Sequence, residues 1–345
     1  MAHINIFKGD AFSAMALGEA IRVIPNQWGT IGTMGLFSSK GIRGTVFSIE
    51  SKNGVLQLVQ SSERGTPMPG QARSKRKMVG FRTERFGLKS RITADDIDNI
   101  RAFGSETELK QAQDEVMDRQ EELRGSIDIT REYHRSQAIQ GVVLDADGSE
   151  LVDLFDKFEI TRKSVDFVFG TGTTDLGAKC REVTRHIRLN LLGDVMTGVM
   201  GLINPEFTDK LMGHADFKER YKYFQNANGG DPLRDDTSSG FSFGGILWKE
   251  YLAEAPVPQE DGTTVTRSFI PAAEAAFFPL GTRQTFRTFN GSPDYVGMAN
   301  TPGQEFYSAV FPDRQEDRFV DVEAMMQNMQ ICMRPGTLVR GHTSN

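Results

Sequence analysis

The sequence runs to 345 residues, room for roughly two domains of about 100 to 200 residues each and for a substantial buried core. Forty basic against forty-six acidic side chains leave a formal charge of -6, which excludes a globally basic grip on nucleic acid and confines charge-driven contacts to local patches. Cys180 and Cys332 stand too far apart to suggest a disulfide framework or zinc site, so buried thiols are expected. The start, Met1 to Lys8, lacks the pattern of a signal peptide, and no apolar run reaches the roughly 18 residues of a membrane span. A soluble protein made in the cytoplasm, with no membrane partner, is the expectation.

Residues 1–35 scatter apolar groups among Pro25, Gly29, Gly32 and Gly35, which reads as an extended arm with one short helix near Ala11 to Ile21. β-rich runs at Thr45 to Glu50 and Val55 to Gln60 flank Asn53-Gly54, a dipeptide that tolerates positive φ and so predicts a hairpin. Ser61 to Lys77 is polar, with Gly65, Pro67, Pro69 and Gly70, and cannot build a core of its own. A strand from Met78 to Leu88 follows.

Thr93-x-x-Asp96 and Ser105-x-x-Glu108 are helix starts, the second a capping box that opens a long helix to Gln140. Leu109, Ala112, Val116, Leu123, Ile127 and Ala138 form its apolar stripe, and Gly125 marks a potential bend. Acids dominate its first half, and Arg124, Arg131 and Arg135 its second, an order that complements the helix dipole. Strands are expected at Val142 to Leu144 and Leu151 to Ile160 around the Asp145 to Gly148 turn, and a helix at Leu176 to Asn190. A strand at Val195 to Ile203 leads into Asn204-Pro205, a cap with proline at the first helical position, and a helix to about Tyr223. Short strands at Phe241 to Tyr251, Arg267 to Ile270, Ala275 to Leu280 and within Phe319 to Val339 complete an α+β chain without internal repeats.

Chemistry-bearing motifs are weak. Gly172 to Lys179 resembles a phosphate loop, but its Gly-Lys-Ser/Thr ending is broken. Asp145-Ala-Asp147-Gly148 lacks the further ligands of a calcium loop. His3, His134, His186, His214 and His342 show no metal-ligand spacing, and no nucleophile elbow occurs. Nothing in these patterns calls for a catalytic residue, a cofactor or a metal.

The sequence resembles the phage lambda major capsid protein E family over nearly its whole length. The likeness rests on Ile24-Pro25, Gly41 to Gln60, Thr66-Pro67 with Pro69-Gly70 before a basic run, and the Glu-rich helix to Tyr133. It continues through Asn204-Pro205 with Phe207 to Tyr221, Phe241 to Trp248, Phe277 to Gly281 and Met329 to Val339. The resemblance implies a Hong Kong 97-type capsid fold: an N-terminal arm at 1–39, an E-loop at 40–92, and a P-domain at 93–175 with a spine helix at 105–140. An A-domain at 176–305 and C-terminal return strands at 306–345 complete it.

It further implies hexamers and pentamers of the chain closing the icosahedral head of a tailed bacteriophage around double-stranded DNA held without sequence preference. A separate scaffolding protein and a portal are implied, and a decoration protein is left open. The implied location is the virion capsid, assembled in the host cytoplasm. The ingredients of a lysine-asparagine crosslink, Lys75 or Lys77 with an asparagine, are ones any protein has. Rival readings are a phage tail or baseplate protein and an α+β hydrolase.

Two segments carry opposite charge. Ser61 to Lys77 sets Arg64, Arg73, Lys75, Arg76 and Lys77 against Glu63, a net +4. Ser105 to Glu122 sets Glu106, Glu108, Asp114, Glu115, Asp118, Glu121 and Glu122 against Lys110 and Arg119, a net -5. In the family, the E-loop lies over a neighbour's P-domain, so Arg64, Arg73, Lys75, Arg76 and Lys77 are expected to meet Glu115, Asp118, Glu121 and Glu122 of the adjacent subunit.

Overall fold

The computed structural model describes residues 29–52, 76–93, 96, 108–220, 240–258, 263–313 and 318–344. The chain divides into two compact units, one of residues 1–47, 82–135 and 287–331, the other of 48–81, 136–286 and 332–345. Residues 287–305, which the resemblance assigns to the A-domain, group with the first unit.

The first unit is a sheet with a helix on it. Its elements are a short helix α1 (Thr30–Thr33), β1 (Ser38–Gly41), β4 (Glu84–Thr93), helix α2 (Glu108–Gln140) up to residue 135, β14 (Phe286–Asn290), β15 (Tyr307–Pro312) and β16 (Phe319–Cys332). β16 is central: β4 pairs antiparallel along Phe319 to Asn328, β15 pairs antiparallel at Val320 to Met325, and β14 follows, with β1 parallel to it at the edge. Val116, Leu123 and Ile127 lie on one face of α2 and bury against Ile92, Phe306, Val320, Val322, Ala324 and Met326. Each such side chain contributes about 1.5–3 kcal/mol. The helix runs unbroken through Gly125.

The second unit holds a six-stranded mixed sheet in the order β7, β17, β13, β8, β10, β9. These are β7 (Lys163–Asp166), β8 (Gly198–Ile203), β9 (Phe241–Phe243), β10 (Ile246–Glu250), β13 (Glu274–Leu280) and β17 (Val339–His342). Helix α4 (Leu176–Asn190) buries Leu176, Cys180, Val183 and Ile187, a helical stripe, in one core with Phe207 and Leu211 of α5 (Pro205–Gly213). Phe167, Trp248 and Phe277 meet edge-on or stacked, with Trp248 and Phe277 ring centroids 5.1 Å apart at 90°. Gly201 and Gly341 make room for Phe277, because a Cβ at either would come within 2.7 and 2.6 Å of its ring.

Several expectations change. The run Leu151 to Ile160 is not one strand: β6 (Glu150–Asp153), paired with β5 (Val142–Leu144), gives way to helix α3 (Leu154–Phe158). The cause is Asp153, whose carboxylate caps the helix by accepting the Phe155 and Asp156 amides at 2.7 and 3.2 Å. The strand at 78–88 is two, β3 (Arg76–Arg82) and β4, separated at Thr83, and the described partner of β2 (Val46–Lys52) is β3. The expected hairpin mate at 55–60 lies outside the described residues, as do the arm and its helix near 11–21.

The helix after Asn204 stops at Gly213. His214 is extended (φ -71, ψ 140), and helix resumes at Ala215. The imidazole makes that break: its Nδ1 accepts the Asp216 amide at 3.2 Å, which leaves Nε2 to donate to the Thr171 carbonyl at 3.1 Å. The 241–251 strand folds back at Gly244-Gly245, both at positive φ, to make the β9–β10 hairpin. β8 starts at Gly198, three residues later than expected, and β12 (Thr264–Ser268) pairs with an unforeseen β11 (Glu254–Pro258).

Candidate assembly surfaces

The acidic candidates sit on the first described turns of α2. Arg119 organises them: Nε is 2.9 Å from Glu115, and its terminal nitrogens lie 3.6 Å from Glu122 and 3.9 Å from Asp96. Glu115 is thereby turned inward, 9% exposed, and is removed from the outward acidic face. Asp114, Met117, Asp118 and Glu121, spaced as neighbours on one helix face, remain exposed together with Glu122. Asp96 completes the cap foreseen at Thr93, whose amide and hydroxyl donate to it at 2.7 and 2.8 Å and hold its carboxyl below the usual range.

Of the basic candidates, Arg64, Arg73 and Lys75 lie outside the described residues. Arg76 and Lys77 open strand β3, so the stretch read as structureless to 77 ends in regular structure. Their side chains are not among those described.

The second half of α2 departs most from the sequence reading. Arg124, Arg131 and Arg135 do not serve as solvent-facing charges at a dipole's end. Arg124 is buried, bonds Asp128 at 2.9 Å and lies 3.5 Å from the Phe306 ring centroid. Arg131 pairs with Glu305 at 3.1 Å, and Arg135 with Glu132 at 3.8 Å. Burial, then the neighbouring Arg131 charge, push the Arg135 guanidinium down to about 10, with Glu132 acting in the opposite direction. Burial likewise raises the Asp128 carboxyl against the pull of Arg124.

Glu132 itself, 1% exposed, accepts the Ile31 and Gly32 amides at 2.6 and 3.0 Å and so receives the start of α1. Gly29, at φ +118, is needed there because a Cβ would stand 2.4 Å from the Glu132 carboxylate. Only the i,i+4 spacing of Arg124 and Asp128 and the i,i+3 spacing of Glu132 and Arg135 hinted at this network in sequence.

The weak motifs prove structural. At the N-terminus of α4, Asp175 accepts the Ala178 amide and Asp216 accepts the Leu176 amide, so the chain's own carboxylates fill the place a phosphate would take. Asp147 accepts the Ser149 amide at 2.7 Å in a β5–β6 hairpin turn. No cluster of three potential ligands for a metal occurs among the described residues. His134 is buried with its ring 4.5 Å from that of Phe86, and burial pushes it down to about 4. Both cysteines are buried free thiols, pushed up to about 12 by burial.

The profile of the family described as Phage major capsid protein E matches residues 13–343. The major capsid protein of Pseudomonas phage KPP10 is 28% identical over 348 residues, covering 96% of each chain. That of Salmonella phage Felix O1 is 26% identical, covering 97% of each. Among solved structures, a putative capsid protein of a prophage of E. coli CFT073 superposes with a TM-score of 0.56 at 11% identity, over 96% of this chain and 99% of that one. The capsid of cyanophage P-SCSP1u gives 0.50 at 12% identity, over 90% and 86%.

Proposed function

The chain belongs to the phage major capsid protein E family, as a major capsid protein of a tailed phage, and from that premise we propose how its copies assemble. Hexamers and pentamers of the chain close an icosahedral head around double-stranded DNA, built in the host cytoplasm on a separate scaffolding protein and completed by a portal. The arm is 1–39, the E-loop 40–92, the P-domain 93–175 with its spine helix 105–140, the A-domain 176–305, and the return strands 306–345. The chain acts as a building block and carries out no catalysis.

The observation that supports the subunit contact is the outward acidic face of α2. Asp118, Glu121 and Glu122 stand exposed on a helix whose other face is fixed to the sheet, so the charge is presented in one orientation. The basic residues Arg64, Arg73, Lys75, Arg76 and Lys77 of a neighbour's E-loop are its complement. Glu115 takes no part directly, because Arg119 already holds it. Exposed pairs contribute only about 0–1 kcal/mol each, but complementary patches repeated at every subunit fix register.

The test is reversal. Lys75, Arg76 and Lys77 changed to Glu should impair shell formation in cells, and adding Asp118→Lys, Glu121→Lys and Glu122→Lys in the same chain should partly restore it. If the combined variant assembles no better than either set alone, the docking is wrong while the family assignment stands.

A further inference from the structure

We propose that a second contact between copies joins the outward face of α4 to the acidic corner at 145–160 of the next copy. The inference rests on the self-assembly reading above and concerns a different surface.

The face is unusual for one left to water. Leu189, Leu192 and Val195 are 80%, 56% and 69% exposed within seven residues. The backbone holds them there: Leu192 has φ 48 and Gly193 φ 87, a left-handed pair that a β-carbon disfavours at the leucine. Arg334 donates to the Leu191 carbonyl and sits 3.7 Å from Asp194, which also accepts the Val195 amide at 2.9 Å and the Thr285 hydroxyl at 3.3 Å. The loop is therefore fixed with its apolar side chains outward, which is a preformed contact surface. A cleft of about 500 Å³ opens beside it, lined in part by Arg188, Leu191, Met196 and Val199.

The same face is basic. Arg181 is held by Asp175 and Glu182 by Lys163, while Arg185 and Arg188 are exposed without an ion pair among the described residues. In the same unit, residues 145–160 set Asp145, Asp147, Glu150, Asp153, Asp156 and Glu159 against Lys157, a net -5. Asp147, Glu150, Asp156 and Glu159 of that corner are exposed, and Ile160, at 38%, supplies an apolar group beside them. Two different patches of one unit, opposite in charge, one carrying three exposed apolar side chains and the other Ile160, make a head-to-tail contact. Such a contact generates a ring where its rotation closes, which is the symmetry a capsomer has.

Arg185→Glu with Arg188→Glu should cut the yield of shells from cells, as should Glu150→Lys with Asp156→Lys, while circular dichroism shows each subunit folded. All four changes in one chain should restore shells, since every copy then carries both reversed faces. Independently, Arg188→Cys with Asp156→Cys should give, on oxidation of assembled shells, a ladder of crosslinked copies; Cys180 and Cys332 are buried and do not contribute. The inference is overturned if the fourfold variant assembles no better than the pairs, or if shells of the cysteine variant form but yield only monomer. It is also overturned if Arg185→Glu with Arg188→Glu assembles normally but retains less DNA, which would turn that face toward the genome. If the unmodified chain, expressed together with its scaffolding protein, forms no shells, the self-assembly reading fails and takes this contact with it.

Discussion

Glu132 shows how one side chain can commit a segment far away in sequence. Its two oxygens take the amides of buried Ile31 and half-buried Gly32, and Arg135 stands 3.8 Å away. Glu132→Ala would strand one buried and one half-buried donor and a buried guanidinium, so urea unfolding of the unassembled subunit should show a loss of about 3–5 kcal/mol. Glu132→Gln, which keeps one acceptor oxygen, should lose less. An alanine variant as stable as the parent would mean that α1 does not depend on that carboxylate. His134 gives the same residue-level logic a pH dependence. Its folded pKa of about 4 lies below the unfolded 6.5, so the native state keeps the ring neutral while the unfolded state takes up a proton. Stability from this group is whole above about pH 6.5 and falls as pH drops toward 4, by on the order of 3 kcal/mol in all. Unfolding midpoints at pH 7 and pH 5 should diverge more for the parent than for His134→Phe, which can still lie against Phe86. Identical divergence would assign the acid sensitivity to other groups.

Helices and strands differ in how far their causes reach, and that decides which were legible. Helix α4 could be read to its ends because its signals are local: an Asp175 cap and an apolar stripe of period 3.6. Helix α3 is not legible although its signal is equally local, because the apolar residues flanking Asp153 from Leu151 to Phe155 outweigh one aspartate. Asp153→Ala tests that aspartate directly. Losing the cap should cost about 1 kcal/mol and speed hydrogen exchange at the Phe155 and Asp156 amides before the surrounding strands are affected. Unchanged exchange would shift the cause of α3 to packing. Strands β1 and β14 were not foreseen because their pairing joins segments hundreds of residues apart: Ser38 to Gly41 pairs with Arg287 to Asn290. The acidic face of α2 was legible as composition, but not the inward turn of Glu115 or the burial of Arg124 and Arg135. Those follow from which way the helix faces its sheet, a property of the tertiary fold.

At the scale of the whole molecule, charge is distributed rather than accumulated. A net -6 leaves no surplus of cations for a polyanion, and several of the forty basic side chains are already engaged within the fold, among them Arg124, Arg131 and Arg135. The exposed remainder includes Arg185 and Arg188, which the head-to-tail contact would consume on assembly. Affinity for duplex DNA grows with the number of phosphates neutralised, and non-specific binding typically lies at about 10⁻⁴–10⁻⁶ M at physiological salt. The unassembled subunit should therefore bind no more tightly than that range, equally well to random and phage-derived duplexes. Its affinity should also depend on salt with a shallow slope, since few counterions are released. Fluorescence anisotropy across a salt series measures all three quantities at once. Sub-micromolar or sequence-selective binding would require more than the local basic patch on α4, and would reopen the question of what the α4 arginines face. Weak, salt-shallow binding fits a subunit whose strength lies in contacts between copies and not in a grip on nucleic acid.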